Sequence, residues 1–399
     1  MEKLTSIPAL DGVTVLDLAR GYPPAQSTMF LGDFGARVIK IDSPEGNNME
    51  REAGIDPQDE WYAALNRLNR NKETAVINLR KEEGLNVFYR LVKKADILVE
   101  GFRPGVMKRL RADYDTLKGI NPRLIYCSVS GYGSDGPYAQ LPGHDPCYLG
   151  IAGALSMIGP RKGKPCNPSN YVGDLGGAAM HGLVGILIAL LAREKTGQGQ
   201  FVDIAYTDGV ISLMEYDLLS YLSTGTVPRR GETFMTGLPA WSNVYKCKDG
   251  EYFVIACGES RFWKNLCRAL EREDLISYHG IPPQEQEHGI GELAKIFLTK
   301  NRDEWWEFLK DKDTCVAPVN NIDEALNDPQ VIHRQMVLEM NHPTLGMLKQ
   351  IGFAVKLSET PAQIRSFGKV VGSDTQRIIG ELGYVREDIQ RLLKEGVIG

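Results

Sequence analysis

Seven cysteines are scattered through the 399 residues without one C-x-x-C pair, and the six histidines are equally dispersed. That distribution excludes a zinc ribbon or finger and provides no disulfide framework, so a reducing cytoplasm is the expected setting. A surplus of positive charge is missing too. A formal net charge of -5 argues against unspecific affinity for nucleic acid or an anionic membrane, and leaves room only for a local basic pocket that takes an anionic ligand. The first residues lack the charged-then-apolar pattern of a signal peptide, and Val397-Ile-Gly399 is no peroxisomal address. The most apolar run, Gly182-Leu-Val-Gly-Ile-Leu-Ile-Ala-Leu-Leu-Ala192, is shorter than the roughly 20 residues that span a bilayer. It is read as a buried helix, and neither a membrane nor a nucleic acid is expected as partner.

What is present is ordinary globular composition, 43% hydrophobic and 24% charged, in a chain longer than one hydrophobic core usually supports. Two lobes are expected. Val13-Thr-Val-Leu-Asp-Leu-Ala19 and Arg37-Val-Ile-Lys-Ile41 read as buried strands around a helical stretch near Met29-Phe-Leu-Gly-Asp-Phe-Gly35. A helix over 81–95 precedes the strand Ile97-Leu-Val-Glu100, and a helix over 106–114 precedes Leu124-Ile-Tyr-Cys-Ser-Val129. Such alternation implies an α/β fold with a mostly parallel, helix-covered sheet. The texture changes at Thr224-Gly-Thr-Val-Pro-Arg-Arg230, where a domain boundary is placed. Val244-Tyr-Lys-Cys247 and Tyr252-Phe-Val-Ile-Ala-Cys257, joined through Asp249-Gly250, carry a hairpin signature. Helices follow around Leu293 and Trp305, an extended segment at 316–321, and a helix over 375–393.

Gly131-Tyr-Gly-Ser-Asp-Gly136 matches G-x-G-x-x-G after a predicted strand, yet Pro137 and Pro142-Gly143 block the long helix that a dinucleotide loop requires. The glycines are read as shaping a loop. His144 in Leu141-Pro-Gly-His-Asp-Pro-Cys-Tyr148 and Asp174 in Tyr171-Val-Gly-Asp-Leu-Gly-Gly177 each sit in a Gly-flanked turn at the edge of an apolar segment. Taken singly, His144 is a turn residue and Asp174 an N-cap; together they outline a proton-transfer site. The helix dipole is expected to keep Asp174 ionised, as base or nucleophile. Lys40, Arg70, Lys72, Arg103, Lys108 and Arg109 lie in or near segments that follow predicted strands, where a parallel sheet lines its ligand crevice, so several of them could meet one phosphorylated ligand. Glu259 follows a strand of the second lobe, and its plainer reading is a surface salt bridge. Cys147 and Cys315 are read as packing residues.

The chain resembles the class III coenzyme A transferases and α-methylacyl-CoA racemases. The resemblance is carried by Leu31-Gly-Asp-Phe-Gly-Ala-Arg-Val-Ile-Lys-Ile-Asp-Ser-Pro44, Asn69-Arg-Asn-Lys72, Ala95-Asp-Ile-Leu-Val-Glu-Gly-Phe-Arg-Pro-Gly105, Asn121-Pro-Arg-Leu-Ile-Tyr126, Ser130-Gly-Tyr-Gly-Ser-Asp-Gly-Pro137, Thr196-Gly-Gln-Gly-Gln200 and Asp328-Pro-Gln330. It implies a large Rossmann-like domain over 1–225 and 321–399, a smaller α/β domain over 226–320, and a homodimer of interlocked rings. It implies coenzyme A, as part of an acyl-CoA substrate and with no permanently bound cofactor, held by Lys40, Arg70, Lys72, Arg103, Lys108 and Asp145. Asp174 corresponds to the carboxylate that transferases use as nucleophile toward the thioester, before a carboxylic acid acceptor takes the CoA. In racemases the same aspartate pairs with the histidine of a Gly-His-Asp motif, here Gly143-His144-Asp145, and Glu259 falls where they place a supporting glutamate. Pro146-Cys147 departs from the Ile-Asn pair common after that motif. The first expectation is an α-methylacyl-CoA racemase working by 1,1-proton transfer through His144 and Asp174, with backbone N–H groups near Asp174 stabilising the enolate. Alternatives are a CoA-transferase acting through an aspartyl-CoA thioester and a non-catalytic acyl-CoA-binding subunit.

Overall fold

The computed structural model describes residues 7–46, 52, 54–56, 58–282 and 285–399. The chain divides into two compact units, one of Met1–Ala152, Ser169–Leu213 and Ile332–Gly399, the other of Gly153–Pro168 and Met214–Val331.

In the first unit the apolar runs become β1 (Thr14–Leu18), β2 (Arg37–Asp42), β3 (Lys72–Val76), β4 (Ile97–Glu100), β5 (Ile125–Ser130) and β6 (Phe201–Ala205). They form one parallel sheet in the order β3-β2-β1-β4-β5-β6. Because successive side chains point to opposite faces, Leu16, Leu98 and Tyr126 enter one core and Val15, Ile97 and Ile125 the other. The helix Tyr22–Asp33 begins with Pro23 and Pro24, whose missing N–H groups are harmless in a first turn, and its Leu31 packs in the second of these cores. Glu82–Val92 packs on the other face through Leu85, Phe88 and Leu91. β3 and β6 were not read from the sequence, because Lys72 and Glu73 open the one with charge and Phe201-Val-Asp-Ile204 is only half apolar.

Beyond β5 no helix starts in the glycine loop, as its prolines require. A short helix, Asp145–Ala152, is followed by a π-helical segment, Tyr171–Met180, that runs on into the helix His181–Thr196. By length and composition the combined Tyr171–Thr196 is apolar enough to cross a membrane. The expected burial of this helix is only half met. Gly182, Ile186 and Ala189 are buried, Ile186 and Ala189 in the sheet core, whereas Val184, Leu187, Ile188 and Leu191 are exposed, because one helix face is all that a sheet can cover.

The second unit contains the antiparallel β7 (Ser242–Lys246), β8 (Tyr252–Ala256) and β9 (Val316–Pro318), with helices including Ser260–Ala269, Gln286–Phe297 and Arg302–Leu309. It is larger than 226–320. Arg230 binds the earlier segment into it by donating to the carbonyls of Ser156 (2.6 Å), Pro160 (3.2 Å) and Gly163 (2.6 Å). Arg302 ties in Glu324 beyond β9 at 2.7 Å. The chain then returns to the first unit as the hairpin β10 (Val337–His342) and β11 (Gly346–Ile351). The expected last helix is two, Thr375–Glu381 and Arg386–Lys394, split where Gly383 adopts φ 89°.

Among the buried ion pairs of the first unit, two are almost fully sealed from solvent. Arg70, 1% exposed, donates from Nε and Nη2 to the two oxygens of Asp33 (3.0 and 2.6 Å), which also accepts from Asn71 at 2.8 Å. Lys72, 2% exposed, donates to Asp17 at 2.7 Å, Thr28 at 2.8 Å and the Ala25 carbonyl at 3.0 Å. Removing one partner strands a buried charge, so Asp33→Ala is expected to destabilise the protein by about 3–5 kcal/mol. Asp33→Leu combined with Arg70→Met is expected to recover most of that loss, and urea unfolding of both variants measures it.

Candidate active site at the carboxyl edge of the sheet

The chain leaves β1 toward one face of the sheet and returns to β4 from the other, so the loops after these neighbouring strands part and leave a crevice. Two clefts open there. The first, of ≈490 Å³, is lined by Arg20, Gly21 and Tyr22 after β1, Gly101–Pro104 after β4, Ser130 and Gly131 at the end of β5, and by His144, Cys147, Tyr148, Asp174 and Tyr206. The second, of ≈650 Å³, lies toward β2 and β3 and includes Ser43, Gly46, Asn78, Arg80 and Arg109. Arg20 and Phe102 line both. The Arg20 guanidinium lies 5.6 Å from the Phe102 ring centroid and donates to the Gly46 carbonyl at 3.0 Å and the Ser43 hydroxyl at 3.4 Å.

Tyr148 shapes the wall that carries His144. Its ring lies tilted against Tyr206 (centroids 4.5 Å apart, planes at 50°) and edge-on to Tyr132 (5.2 Å), and its hydroxyl donates to the Gly143 carbonyl. A Cβ at Gly131 would stand 2.3 Å from that ring and one at Gly143 2.7 Å, so these glycines make room for a tyrosine, not for a dinucleotide. His144 immediately precedes the helix Asp145–Ala152 and is exposed to the cleft; among the described residues no protein group hydrogen-bonds its ring.

Asp174 is the fourth residue of the π-helical segment. Its backbone N–H donates to Asp145 Oδ2 at 2.7 Å, and a Cβ at Gly173 would meet that oxygen at 2.7 Å. Burial, reinforced by the Asp145 charge, pushes the Asp174 carboxyl up to about 6, against the lowering influence of an Asn170 hydrogen bond and of His144. The expectation that Asp174 is ionised is met only in part: desolvation and a like charge raise its pKa to about 6, so most of it is ionised at pH 7 and about one-tenth carries a proton. The Asp174 N–H is also no free oxyanion donor, since Asp145 occupies it.

The structure brings His144, Asp174 and Arg103 to one cleft and redistributes the remaining expected residues. Arg70 and Lys72 point inward and donate to Asp33 and Asp17, and neither lines either cleft. Lys40 is buried within β2 and paired with Asp42 at 2.9 Å. Lys108 is exposed but lines neither cleft; its neighbour Arg109 does. Asp145 is buried, accepts the Asp174 N–H and lines neither cleft. Glu259 belongs to the second unit, where it is exposed, precedes the helix Ser260–Ala269 and lies 3.8 Å from Arg261. Cys147 is exposed and lines the first cleft, which corrects its reading as a packing residue. Missed were Arg20, Arg80 and Tyr148; the first directly follows β1, a signal that the strand-end rule offered.

Residues 10–375 match the family described as CoA-transferase family III. Over 404 residues the chain is 29% identical to human succinyl-CoA:glutarate CoA-transferase, covering 99% of this chain and 91% of that protein. It is 31% identical to human alpha-methylacyl-CoA racemase over 398 residues, covering 98% and 97%. A CaiB/BaiF family protein from Brucella suis has a crystal structure that superposes with a TM-score of 0.80 at 28% identity, covering 94% of this chain and 99% of that one. With its parallel sheet, its strand-end clefts and a match running through both units, the chain belongs to CoA-transferase family III, the enzyme family of CoA-transferases and acyl-CoA racemases.

Proposed function

We propose that this protein interconverts the two configurations of a 2-methyl-branched acyl-CoA by moving one proton off and one proton onto the α-carbon. The observation that carries the reading is the pairing of His144 and Asp174, borne by separate elements, on the walls of one cleft, with Asp174 buried enough to hold a proton. The thioester acidifies the α-hydrogen. Neutral His144 takes it to become imidazolium, and the protonated Asp174 carboxyl delivers its own proton to the other face of the enolate. The turnover ends with His144 as imidazolium and Asp174 as carboxylate, the starting state for the reverse reaction, and proton exchange with water restores the first state. A group with a pKa of about 6 is about one-tenth protonated at pH 7, a sufficient population for rapid proton exchange. Arg20, Arg80 and Arg109 around the wider cleft suit the phosphates of coenzyme A, and Arg103 at the narrower one stands beside the thioester arm.

A second reading is favoured by the fraction of Asp174 that is ionised at neutral pH. Its carboxylate attacks the thioester carbonyl and expels CoA thiolate; the thiolate then attacks the aspartyl carbonyl of the mixed anhydride, releasing the free acid and leaving aspartyl-CoA for an acceptor carboxylate. Incubation with 2-methylacyl-CoA in deuterated water, without acceptor acid, separates the two. Deuterium entering the α-position, and lost in both Asp174→Ala and His144→Ala, is the expected result. CoA exchange that needs an acceptor acid and is lost only in Asp174→Ala would establish the transferase instead, and CoA binding without either reaction would leave a binding subunit.

Asp145→Asn keeps an acceptor for the Asp174 N–H and removes the like charge. In carbon-13 titrations of labelled aspartate, Asp174 is expected to change near pH 6 in the wild type and at lower pH in this variant. The acid form at pH 7 then shrinks, and proton delivery by Asp174 slows with it.

We also propose that a second copy of the chain covers Val184, Leu187, Ile188 and Leu191, in the linked-ring arrangement implied by the resemblance. Sedimentation is expected to give twice the 44.3 kDa of one chain, and Ile188→Glu is expected to shift the mass toward a single chain.

A further inference from the structure

Glu100 ends β4 only 4% exposed, and among the described residues no cation pairs with it. Its Oε2 accepts the Phe102 N–H at 2.7 Å, and its carboxylate is hydrogen-bonded by Ser128, its register partner on β5. Asp203 of β6 stands in register with Ser128. Burial, with the Asp203 charge adding to it, pushes the Glu100 carboxyl up to about 7. A carboxyl kept in such unfavourable surroundings owes its place to the bonds that it makes. The main one fixes the turn from Gly101 to Pro104, and that turn supplies walls to both clefts. Phe102 is the shared wall, with Arg20 against its ring and Arg20 in turn bonded to the Ser43–Gly46 loop of the wider cleft.

We propose that Glu100 is a positioning residue for coenzyme A: by holding the Phe102 N–H it sets the partition between the two clefts and keeps Phe102 and Arg20 where the ligand passes from one to the other. The inference rests on the reading that the clefts hold an acyl-CoA. Glu100 touches no substrate and takes no part in the proton transfer, so its loss is felt in binding and not in chemistry.

Coenzyme A titrated calorimetrically into the full-length protein, together with kcat and KM from the deuterium-exchange assay, tests this. Glu100→Ala is expected to weaken coenzyme A binding about tenfold and raise KM by a similar factor with kcat within about threefold, the effect of losing one buried hydrogen bond. Glu100→Gln, whose amide oxygen still accepts from Phe102 and whose NH₂ faces the Ser128 hydroxyl, is expected to stay within about threefold of the wild type. Phe102→Ala is expected to weaken binding as well, and adding Glu100→Ala to it is expected to weaken it little further, because both changes act through the same ring. Equal affinity in the wild type and a folded Glu100→Ala overturns the proposal, as does a fall in kcat at constant KM or full additivity with Phe102→Ala. Should Glu100→Ala not fold, wild-type affinity in Phe102→Ala overturns it equally. A wild-type protein that binds no coenzyme A overturns both this inference and the functional reading, whereas binding that ignores Glu100 overturns this inference alone.

Discussion

The divergence of the chain at β1 and β4 is the constraint on which the site depends. Two adjacent parallel strands whose connections lie on opposite faces cannot close the space beyond their carboxyl ends, and both clefts open there. Each residue of interest is placed by its distance from that edge. Arg20 and Tyr22 arrive from β1, Phe102 and Arg103 from β4, and the long excursion after β5 brings His144 and Asp174 over the same opening. The helix Tyr22–Asp33 starts against the crevice, with two prolines making its first turn rigid.

Charge is used in two ways in this unit, and burial decides which. Lys72 and Arg70 occupy the sheet and its margin, away from water, where an unpaired cation is prohibitive, so Asp17 and Asp33 meet them inside. Those pairs also brace the edge: Asp17 accepts the Ala19 N–H at 2.8 Å, and Thr28 of the first helix bonds to the same carboxylate at 2.7 Å. The strand end that presents Arg20 is thereby tied to the helix behind it. Arg103 and Arg109 lie beyond the strands, exposed and without an acidic partner among the described residues, which leaves them free for an anionic ligand.

Asp145 joins the architecture to the chemistry. By accepting the Asp174 N–H it fixes the start of the π-helical segment, and by its charge it favours the protonated form of the Asp174 side chain. Gly173 permits the approach, since any side chain there would collide with the carboxylate. One residue of the Gly-His-Asp motif thus faces the cleft, and the next stands behind Asp174.

The sequence by itself determined the α/β class, the parallel sheet over β1, β2, β4 and β5, the hairpin of β7 and β8, and the absence of a helix after Gly131, because hydrophobic period, turn residues and proline act over a few positions. It also singled out His144 and Asp174 as residues of unusual setting. Only the tertiary structure decided what each charge does. Lys72 and Arg103 look alike in sequence, as cations near strand ends, yet one is sealed against Asp17 and the other opens on a cleft. Asp174 follows the same logic: the helix terminus favours its ionised form and is visible locally, whereas the burial and the Asp145 carboxylate that raise its pKa arise from residues far apart in the chain. Dielectric surroundings and charge neighbours are properties of packing in three dimensions, and no local pattern encodes them.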